Sequence, residues 1–182
     1  MREVEIKVEV KSHDAILKVL DERGITVSTS VAQHDRVYAA PGETKGGTGA
    51  PWLRIRSETK NGETTHTFTL KRSFENHLDK IEHETSVDDS YELEKIIENM
   101  NFVPFSDLTK TRRKAKLGDI EICLDEVRGL GAFIEAEKLV ADDAPFETVA
   151  AELWELFESL GASKEDEIHV GYDVLARQRG VR

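Results

Sequence analysis

The sequence predicts an α+β protein: an eight-stranded antiparallel closed β-barrel with helices packed outside it. Two observations predict this fold. Seven short segments carry charges at every second residue, a spacing that places the charges of each segment on one face of a strand. Segments of both signs occur along the chain, which suits a sheet curled around a polar interior better than an ordinary sheet with one solvated face.

A polar interior of this kind predicts a ligand. The cations would hold a polyanion, and the carboxylates would hold the metal ions that neutralise it. A solvated face held by cross-strand ion pairs is the alternative explanation. The seven charged segments are Glu3–Lys7, Arg54–Arg56, Thr67–Lys71, Glu82–Glu84, Lys110–Arg112, Glu121–Asp125 and Glu135–Glu137.

The first half of the chain predicts five strands and one helix. Residues 1–11 alternate as a strand does, and Ser12 caps a helix over 13–23 with one apolar stripe. Asn61-Gly62 predicts a hairpin turn between two of the strands that follow. These strands are expected over residues 31–39, 52–58, 64–72 and 79–87.

Residues 40–51 form a glycine-rich connection between two predicted strands. The stretch contains four Gly and two Pro, a composition typical of a loop rather than of a domain linker. Because glycines are costly to order, we expect a lid that is mobile when empty and closes over bound ligand. Lys45 would be its only cation.

The second half of the chain predicts three more strands and two or three helices. Asp88 and Asp89 precede a helix over 90–100, and Pro145 opens a helix that Gly161 ends. Two strands form a hairpin across Gly118-Asp119, and a third follows Gly131 after a turn. The strands are expected over 107–117, 119–127 and 132–139, and a short helix over 171–179.

Composition predicts one soluble domain over residues 1–182. Hydrophobic residues make up 38% and charged residues 34%, and no apolar run approaches the roughly 20 residues that span a bilayer. The net charge of −11 argues against binding to nucleic acid or to anionic membranes. Cys123 is the single cysteine, which favours a cytoplasmic location, as does the absence of a secretory apolar stretch near the N-terminus.

The charged segments resemble the hallmarks of the CYTH superfamily, the triphosphate tunnel enzymes. Glu3-x-Glu5-x-Lys7 resembles the E-x-E-x-K motif of that family, and the stretch Leu124–Glu137 resembles its long C-terminal acidic motif. Lys80 and Gly171 depart from the family pattern, which has arginine and serine there. The remaining matches are Gln33-x-Asp35-x-x-Tyr38, as in the class IV adenylyl cyclase branch, Leu53–Arg56, Thr69–Lys71, Glu82-x-Glu84 and Lys110-x-Arg112.

The resemblance implies a triphosphate substrate and dependence on Mg²⁺ or Mn²⁺. Arginine suits paired phosphate oxygens, and carboxylates are hard oxygen ligands for such metals. The residues expected to bind substrate are Lys7, Arg54, Arg56, Lys71, Lys110 and Arg112. Those expected to hold metal are Glu3, Glu5, Asp125, Glu135 and Glu137. Those expected to act in catalysis are Glu5, Lys7, Lys71 and Arg112.

Three functions stay open at this point. The leading expectation is a class IV adenylyl cyclase-like enzyme that converts ATP to cyclic AMP and pyrophosphate. The second is a triphosphatase that acts on inorganic triphosphate or thiamine triphosphate, and the third is a non-catalytic nucleotide or polyphosphate sensor. The expected partner is therefore a small-molecule triphosphate rather than a nucleic acid or a membrane, and a homodimer stays open.

Overall fold

The computed structural model of the chain describes residues 2–43, 50–73, 80–141 and 143–181. The predicted lid over 40–51 falls largely on residues 44–49, which include Lys45 and lie outside the described residues. Within the described ranges, the chain forms eight strands and four α-helices, so the α+β class is confirmed.

The elements follow one another in the order that the sequence predicts. The strands are β1 (Arg2–Val10), β2 (Val31–Ala39), β3 (Pro51–Lys60), β4 (Glu63–Ser73), β5 (Lys80–Val87), β6 (Val103–Leu117), β7 (Ile120–Val127) and β8 (Gly131–Val140). The helices are α1 (Asp14–Glu22), α2 (Ser90–Asn99), α3 (Phe146–Ser159) and α4 (Tyr172–Arg179). A 3-10 turn, Lys164–Asp166, was not predicted.

Two local features show how closely side-chain chemistry fixes these elements. Asn61 and Gly62 both have positive φ, 53° and 85°, which is the geometry that a two-residue hairpin turn requires. Strand β6 begins at Val103, four residues before the predicted start at 107. The early start has a packing reason: the ring of Phe105 meets the ring of Trp52 edge-on, with 4.5 Å between centroids.

The eight strands form one sheet in the order β1-β8-β7-β6-β2-β3-β4-β5. The described ladders β1–β8, β7–β8, β2–β3, β3–β4 and β4–β5 are all antiparallel. Along the described residues, no ladder joins the end strands β1 and β5. Closure of the barrel by hydrogen bonds is therefore not confirmed.

The chain divides into two compact units. The first comprises Met1–Ser30 and Thr111–His169, and the second comprises Val31–Lys110 and Val170–Arg182. The single domain over residues 1–182 stays a prediction. Among the described helices, none combines the length and the apolar character needed to span a membrane.

The core of the first unit lies on one face of β1, β7 and β8. Alternate residues of these strands are apolar and pack with helices α1 and α3, which supply Leu20, Leu153 and Phe157, each with no exposed surface. The strand residues of this core include Val4, Ile6, Val8, Ile122, Leu124, Ile134 and Ala136. Because side chains alternate between faces, the charged residues between these positions all lie on the opposite face.

The second unit repeats this division of faces with a smaller core. Leu53 and Ile55 of β3 pack with Tyr38 of β2 and with Ile97 of α2. The Asp89 side chain accepts a hydrogen bond from the Glu92 backbone N–H and caps the first turn of α2. The charged residues of β3 alternate with its core residues and therefore lie on the other face.

Truncation of Leu153 tests the packing of α3 in the first unit. Leu153→Ala should lower the free energy of unfolding by about 2–5 kcal/mol, because it leaves a cavity in a fully buried position. Glu155→Ala, at an exposed position of the same helix, is the matched control and should change it by less than about 0.5 kcal/mol. Denaturant unfolding measures both, and equal effects would contradict the described packing.

Candidate active site

Three carboxylates face one another across the polar face of the first unit. The strand register pairs Glu5 of β1 with Glu137 of β8, and Glu137 with Glu121 of β7. We call these three residues the acidic row. Like charges directly opposite on neighbouring strands destabilise a sheet. The Nζ of Lys114 forms an ion pair with Glu121, and Glu137 stands opposite a carboxylate on each side, so a further cation at Glu137 would stabilise the row.

The acidic row is part of a group with the geometry of a metal site. One carboxylate oxygen from each of Glu3, Glu5 and Glu137 lies within 4.8 Å of the other two. Burial raises the pKa of Glu137 to about 8, and Glu121 and Glu3 add to this effect. A carboxylate that resists ionisation in this way is one that a bound cation would stabilise, and the hard oxygen donors suit Mg²⁺ or Mn²⁺.

Two buried cations lie beside these carboxylates. The Lys7 Nζ is 3.1 Å from carboxylate oxygens of both Glu5 and Glu135. Arg112 donates from Nε and Nη2 to the two carboxylate oxygens of Asp125, the former bond being 2.7 Å long, and Nη2 also donates to Glu135. Burial alone would lower the pKa of each cation, but these carboxylates outweigh it and raise the pKa of both.

Cys123 shares this polar face but is fully buried. Its Sγ lies 3.7 Å from a carboxylate oxygen of Glu121, and the two residues form a second close group with Glu137. Burial raises the pKa of the thiol, which agrees with the role of a small filler between charged neighbours rather than of a nucleophile.

The polar face of the second unit carries most of the predicted phosphate-binding residues. Strand register arranges them in cross-strand rows, spaced about 7 Å apart because each row is two residues further along the strands. The rows are Gln33–Glu58–Thr65, Asp35–Arg56–Thr67, Val37–Arg54–Thr69–Glu84 and Trp52–Lys71–Glu82.

Arg56 is held by a planar two-point contact. Its Nε and Nη2 donate to the two carboxylate oxygens of Asp35 at 2.7 and 2.6 Å. Burial would raise the pKa of Asp35, but the hydrogen bonds and the charge of Arg56 outweigh burial and hold that pKa at about 2. Arg54 and Lys110 add to the lowering, so this carboxylate lies in a cationic environment.

One N–H group of Arg54 donates no hydrogen bond to any described residue. Its Nη2 lies 3.2–3.3 Å from oxygens of Thr69, Glu82 and Glu84. Its Nε is buried and makes no hydrogen bond within the described residues. An orphaned buried donor is costly, and an acceptor-only group such as a phosphate oxygen would satisfy it.

The two lysines of this face have different neighbours. Lys71 Nζ forms an ion pair with Glu82 at 3.3 Å. Lys110 Nζ lies 4.9 Å from the centre of the Tyr172 ring, on which it makes a cation–π contact, and Lys110 is itself buried. Tyr172 is therefore a candidate positioning residue for Lys110.

The structure brings the predicted residues together in two groups, one in each unit. The first contains Glu3, Glu5, Lys7, Arg112, Asp125, Glu135 and Glu137, and the second contains Arg54, Arg56, Lys71 and Lys110. Convergence of all of them on one cavity stays a prediction, as do their individual roles. The sequence reasoning omitted Glu121, although its period-two spacing with Asp125 was visible, and it omitted the partners Asp35, Thr69, Glu82 and Glu84 as site residues.

Comparisons with known proteins identify the family of this chain. A family model described as the CYTH domain matches residues 1–172. A protein of Methanocaldococcus jannaschii named "putative adenylate cyclase" is 29% identical over 177 residues, which cover 94% of this chain and 97% of that protein.

Solved structures are similar over nearly the whole chain. One, from Pyrococcus horikoshii, has a TM-score of 0.83 and 25% identity, covering 97% of this chain and 99% of its own. Another, from Hippeastrum, has a TM-score of 0.63 and 16% identity, covering 100% and 97%. It is described as a "putative adenylyl cyclase" that "reveals a dominant" triphosphatase activity, and at this identity the likeness shows the fold alone.

The Asp35–Arg56 contact makes a pH-dependent contribution to stability. Because the pKa of Asp35 is about 2 in the folded protein and about 3.9 in an unfolded chain, the contribution is complete above the unfolded value. It is lost as pH falls from about 4 towards 2 and amounts to about 2.6 kcal/mol. The difference in unfolding free energy between the wild type and Asp35→Asn should therefore shrink over that range, as measured by denaturant titration at several pH values. A difference that is constant with pH would contradict this account.

Proposed function

This chain belongs to the CYTH domain family, and on that premise we propose that it is a metal-dependent enzyme acting on a triphosphate, with ATP as substrate and cyclic AMP and pyrophosphate as products. The proposal includes the finer fold implied by the family resemblance, a sheet that closes as a tunnel. The similarity to the Methanocaldococcus jannaschii protein supports the cyclase branch.

The acidic row carries this proposal. Glu5, Glu137 and Glu121 stand opposite one another on adjacent strands, and Glu3 completes a close group of donor atoms with the first two. Without a cation, the proximity of these carboxylates would repel a polyanion as well as one another. We therefore assign Glu3, Glu5 and Glu137 as metal ligands, with Asp125 and Glu135 as further proposed members of the set.

Asp125 and Glu135 have a second role in this proposal. Asp125 has no exposed surface, and together with Glu135 it holds the Arg112 guanidinium. A fixed, charged guanidinium needs no reorganisation when a phosphate oxygen gains negative charge, which is how preorganised donors favour a transition state. Arg112 and Lys7 are proposed to bind phosphate oxygens in this way.

The second unit supplies the remaining phosphate contacts. Arg54, Arg56, Lys71 and Lys110 are the proposed donors, and the unpartnered Nε of Arg54 is the atom that most directly calls for an acceptor. Since Asp35, Glu82 and Glu84 already hold Arg54, Arg56 and Lys71, phosphate oxygens would share or replace these carboxylate contacts. Specificity for a polyanion follows, because a weakly charged ligand could not compete with the carboxylates.

The proposed reaction is an intramolecular displacement. The ribose 3′-hydroxyl gives its proton to solvent water, and its oxygen forms a bond to the α-phosphorus. The bond from that phosphorus to the bridging oxygen breaks, and pyrophosphate leaves with the electron pair. When bound, the metal lowers the charge on the reacting phosphate and stabilises the leaving group. Lys7, Lys71 and Arg112 neutralise charge that develops on pyrophosphate, and Glu5 contributes by holding the metal.

Hydrolysis of a triphosphate is the second candidate. The same cations and carboxylates suit attack by water on the terminal phosphorus, and the similar Hippeastrum structure is described as having a dominant triphosphatase activity. Product analysis separates the candidates: incubation with Mg²⁺ or Mn²⁺ and ATP, inorganic triphosphate or thiamine triphosphate should give cyclic AMP and pyrophosphate from ATP. Phosphate would select the triphosphatase, tight binding without product would select a sensor, and neither binding nor product would refute the proposal.

Removal of Arg54 tests the phosphate assignment. Arg54→Ala should lower kcat/KM for ATP roughly 10- to 150-fold, which corresponds to the loss of about 1.5–3 kcal/mol from charged hydrogen bonds. Arg72→Ala is the matched control, since Arg72 is exposed and lies on the opposite face of the same sheet. Steady-state kinetics measures both variants, and an unchanged kcat/KM in Arg54→Ala would exclude this residue from substrate binding.

Removal of one charge from the acidic row tests the metal assignment. Glu137→Gln should weaken Mn²⁺ binding by roughly tenfold or more, because it removes one anionic donor from a small ligand set. The control is Glu126→Gln, an exposed carboxylate on the other face of β7. Calorimetric titration with Mn²⁺ gives both affinities, and identical affinity in wild type and Glu137→Gln would show that the metal binds elsewhere.

A further inference from the structure

A buried carboxamide on the polar face of the second unit has an unsatisfied acceptor. Gln33 is only 3% exposed, and its Nε2 donates to a carboxylate oxygen of Glu58 at 2.8 Å. The carboxamide oxygen, Oε1, is buried and has no hydrogen-bond partner among the described residues.

The contact with Glu58 determines which atom of the Gln33 carboxamide lacks a hydrogen-bond partner. An ionised carboxylate only accepts hydrogen bonds, so the NH₂ group of Gln33 must face Glu58 and the oxygen must point elsewhere. A buried acceptor without a donor is costly. An ionised phosphate oxygen cannot donate a hydrogen bond to this atom, because it is itself only an acceptor. The complementary group must be an N–H or an O–H.

The unsatisfied Oε1 of Gln33 belongs to a residue that neighbours the proposed phosphate contacts in the sheet. Gln33 and Glu58 are register partners, and the adjacent row on the same face contains Asp35 and Arg56. The two rows are about 7 Å apart. Three residues follow one another along the strands on this face. Counting partners among the described residues only, they are Arg54 with an unsatisfied donor, Arg56, and Gln33 with an unsatisfied acceptor. A ligand with phosphates at one end and a hydrogen-bond donor at the other matches this order.

We propose that Gln33 is a specificity-determining residue whose Oε1 accepts a hydrogen bond from a hydroxyl or amine in the organic part of an organic triphosphate, with Glu58 orienting the carboxamide. This inference rests on the proposed function and narrows it. A nucleoside triphosphate has such donors on its sugar and base, whereas inorganic triphosphate offers no organic donor. Gln33 therefore favours the nucleoside triphosphate over the inorganic ion.

The test compares ATP, which has an organic part, with inorganic triphosphate, which has none. Gln33→Met keeps a chain of similar length and removes the acceptor. With Mg²⁺ present, calorimetric titration should show ATP binding weakened about tenfold or more, while binding of inorganic triphosphate changes by less than about threefold. Thr65→Val, on the neighbouring strand of the same row, is the matched control and should leave both affinities within about twofold. Equal weakening of both ligands in Gln33→Met would overturn the inference, because a structural role makes no distinction between them.

A second arm uses the unmodified protein and does not depend on the folding of a variant. The affinities of 2′-deoxy-ATP, 3′-deoxy-ATP and inosine triphosphate are compared with that of ATP. Weaker binding of one analogue identifies the donor as a sugar hydroxyl or the base amine, and equal binding of all four overturns the inference. Failure of the proposed function is a different result: the unmodified protein would bind neither ATP nor inorganic triphosphate.

Discussion

The polar face of the first unit depends on the ion pair between Arg112 and Asp125. Asp125 has no exposed surface, and a buried carboxylate is destabilising unless a cation pairs with it. Arg112 meets this need and also reaches Glu135, which in turn contacts Lys7. The chain of contacts ends at Glu5, a member of the acidic row. Loss of one partner would leave an uncompensated buried charge, so these residues act as a set.

The charged residues on the polar faces of the two units have different kinds of neighbours. In the second unit every arginine and lysine on the polar face has an acidic or aromatic neighbour, as the contacts of Arg56 with Asp35 and of Lys110 with Tyr172 illustrate. In the first unit the acids are in excess along the acidic row, and burial shifts the pKa of Glu137 upward. One surface thus has cations that contact an acid or an aromatic ring, and the other has a row of three carboxylates with Lys7 and Lys114 beside it.

Most of the fold could be predicted from the sequence, because period-two alternation and turn residues act locally. The Asn61-Gly62 turn is an example, and its positive φ angles are ones that Asn and Gly adopt readily. The early start of β6 could not be predicted, since it depends on packing between Phe105 and the distant Trp52. For the same reason the alternation identified Glu5 and Glu137 as charged strand residues but could not reveal that Glu121 stands opposite Glu137. Register between strands is a property of the folded chain, and neither strand specifies it alone.

Because Cys123 is buried, the rate at which its thiol is labelled can report local or global unfolding of the protein. It is the single cysteine of the protein, it has no exposed surface, and burial disfavours its thiolate, the form that reacts. A thiol reagent can therefore label the protein only after β7 and its neighbours separate locally or the whole chain unfolds. The labelling rate gives the frequency of that event without any engineered probe. Resistance to oxidants should follow the same rate, because oxidation of the sulfur needs the same exposure.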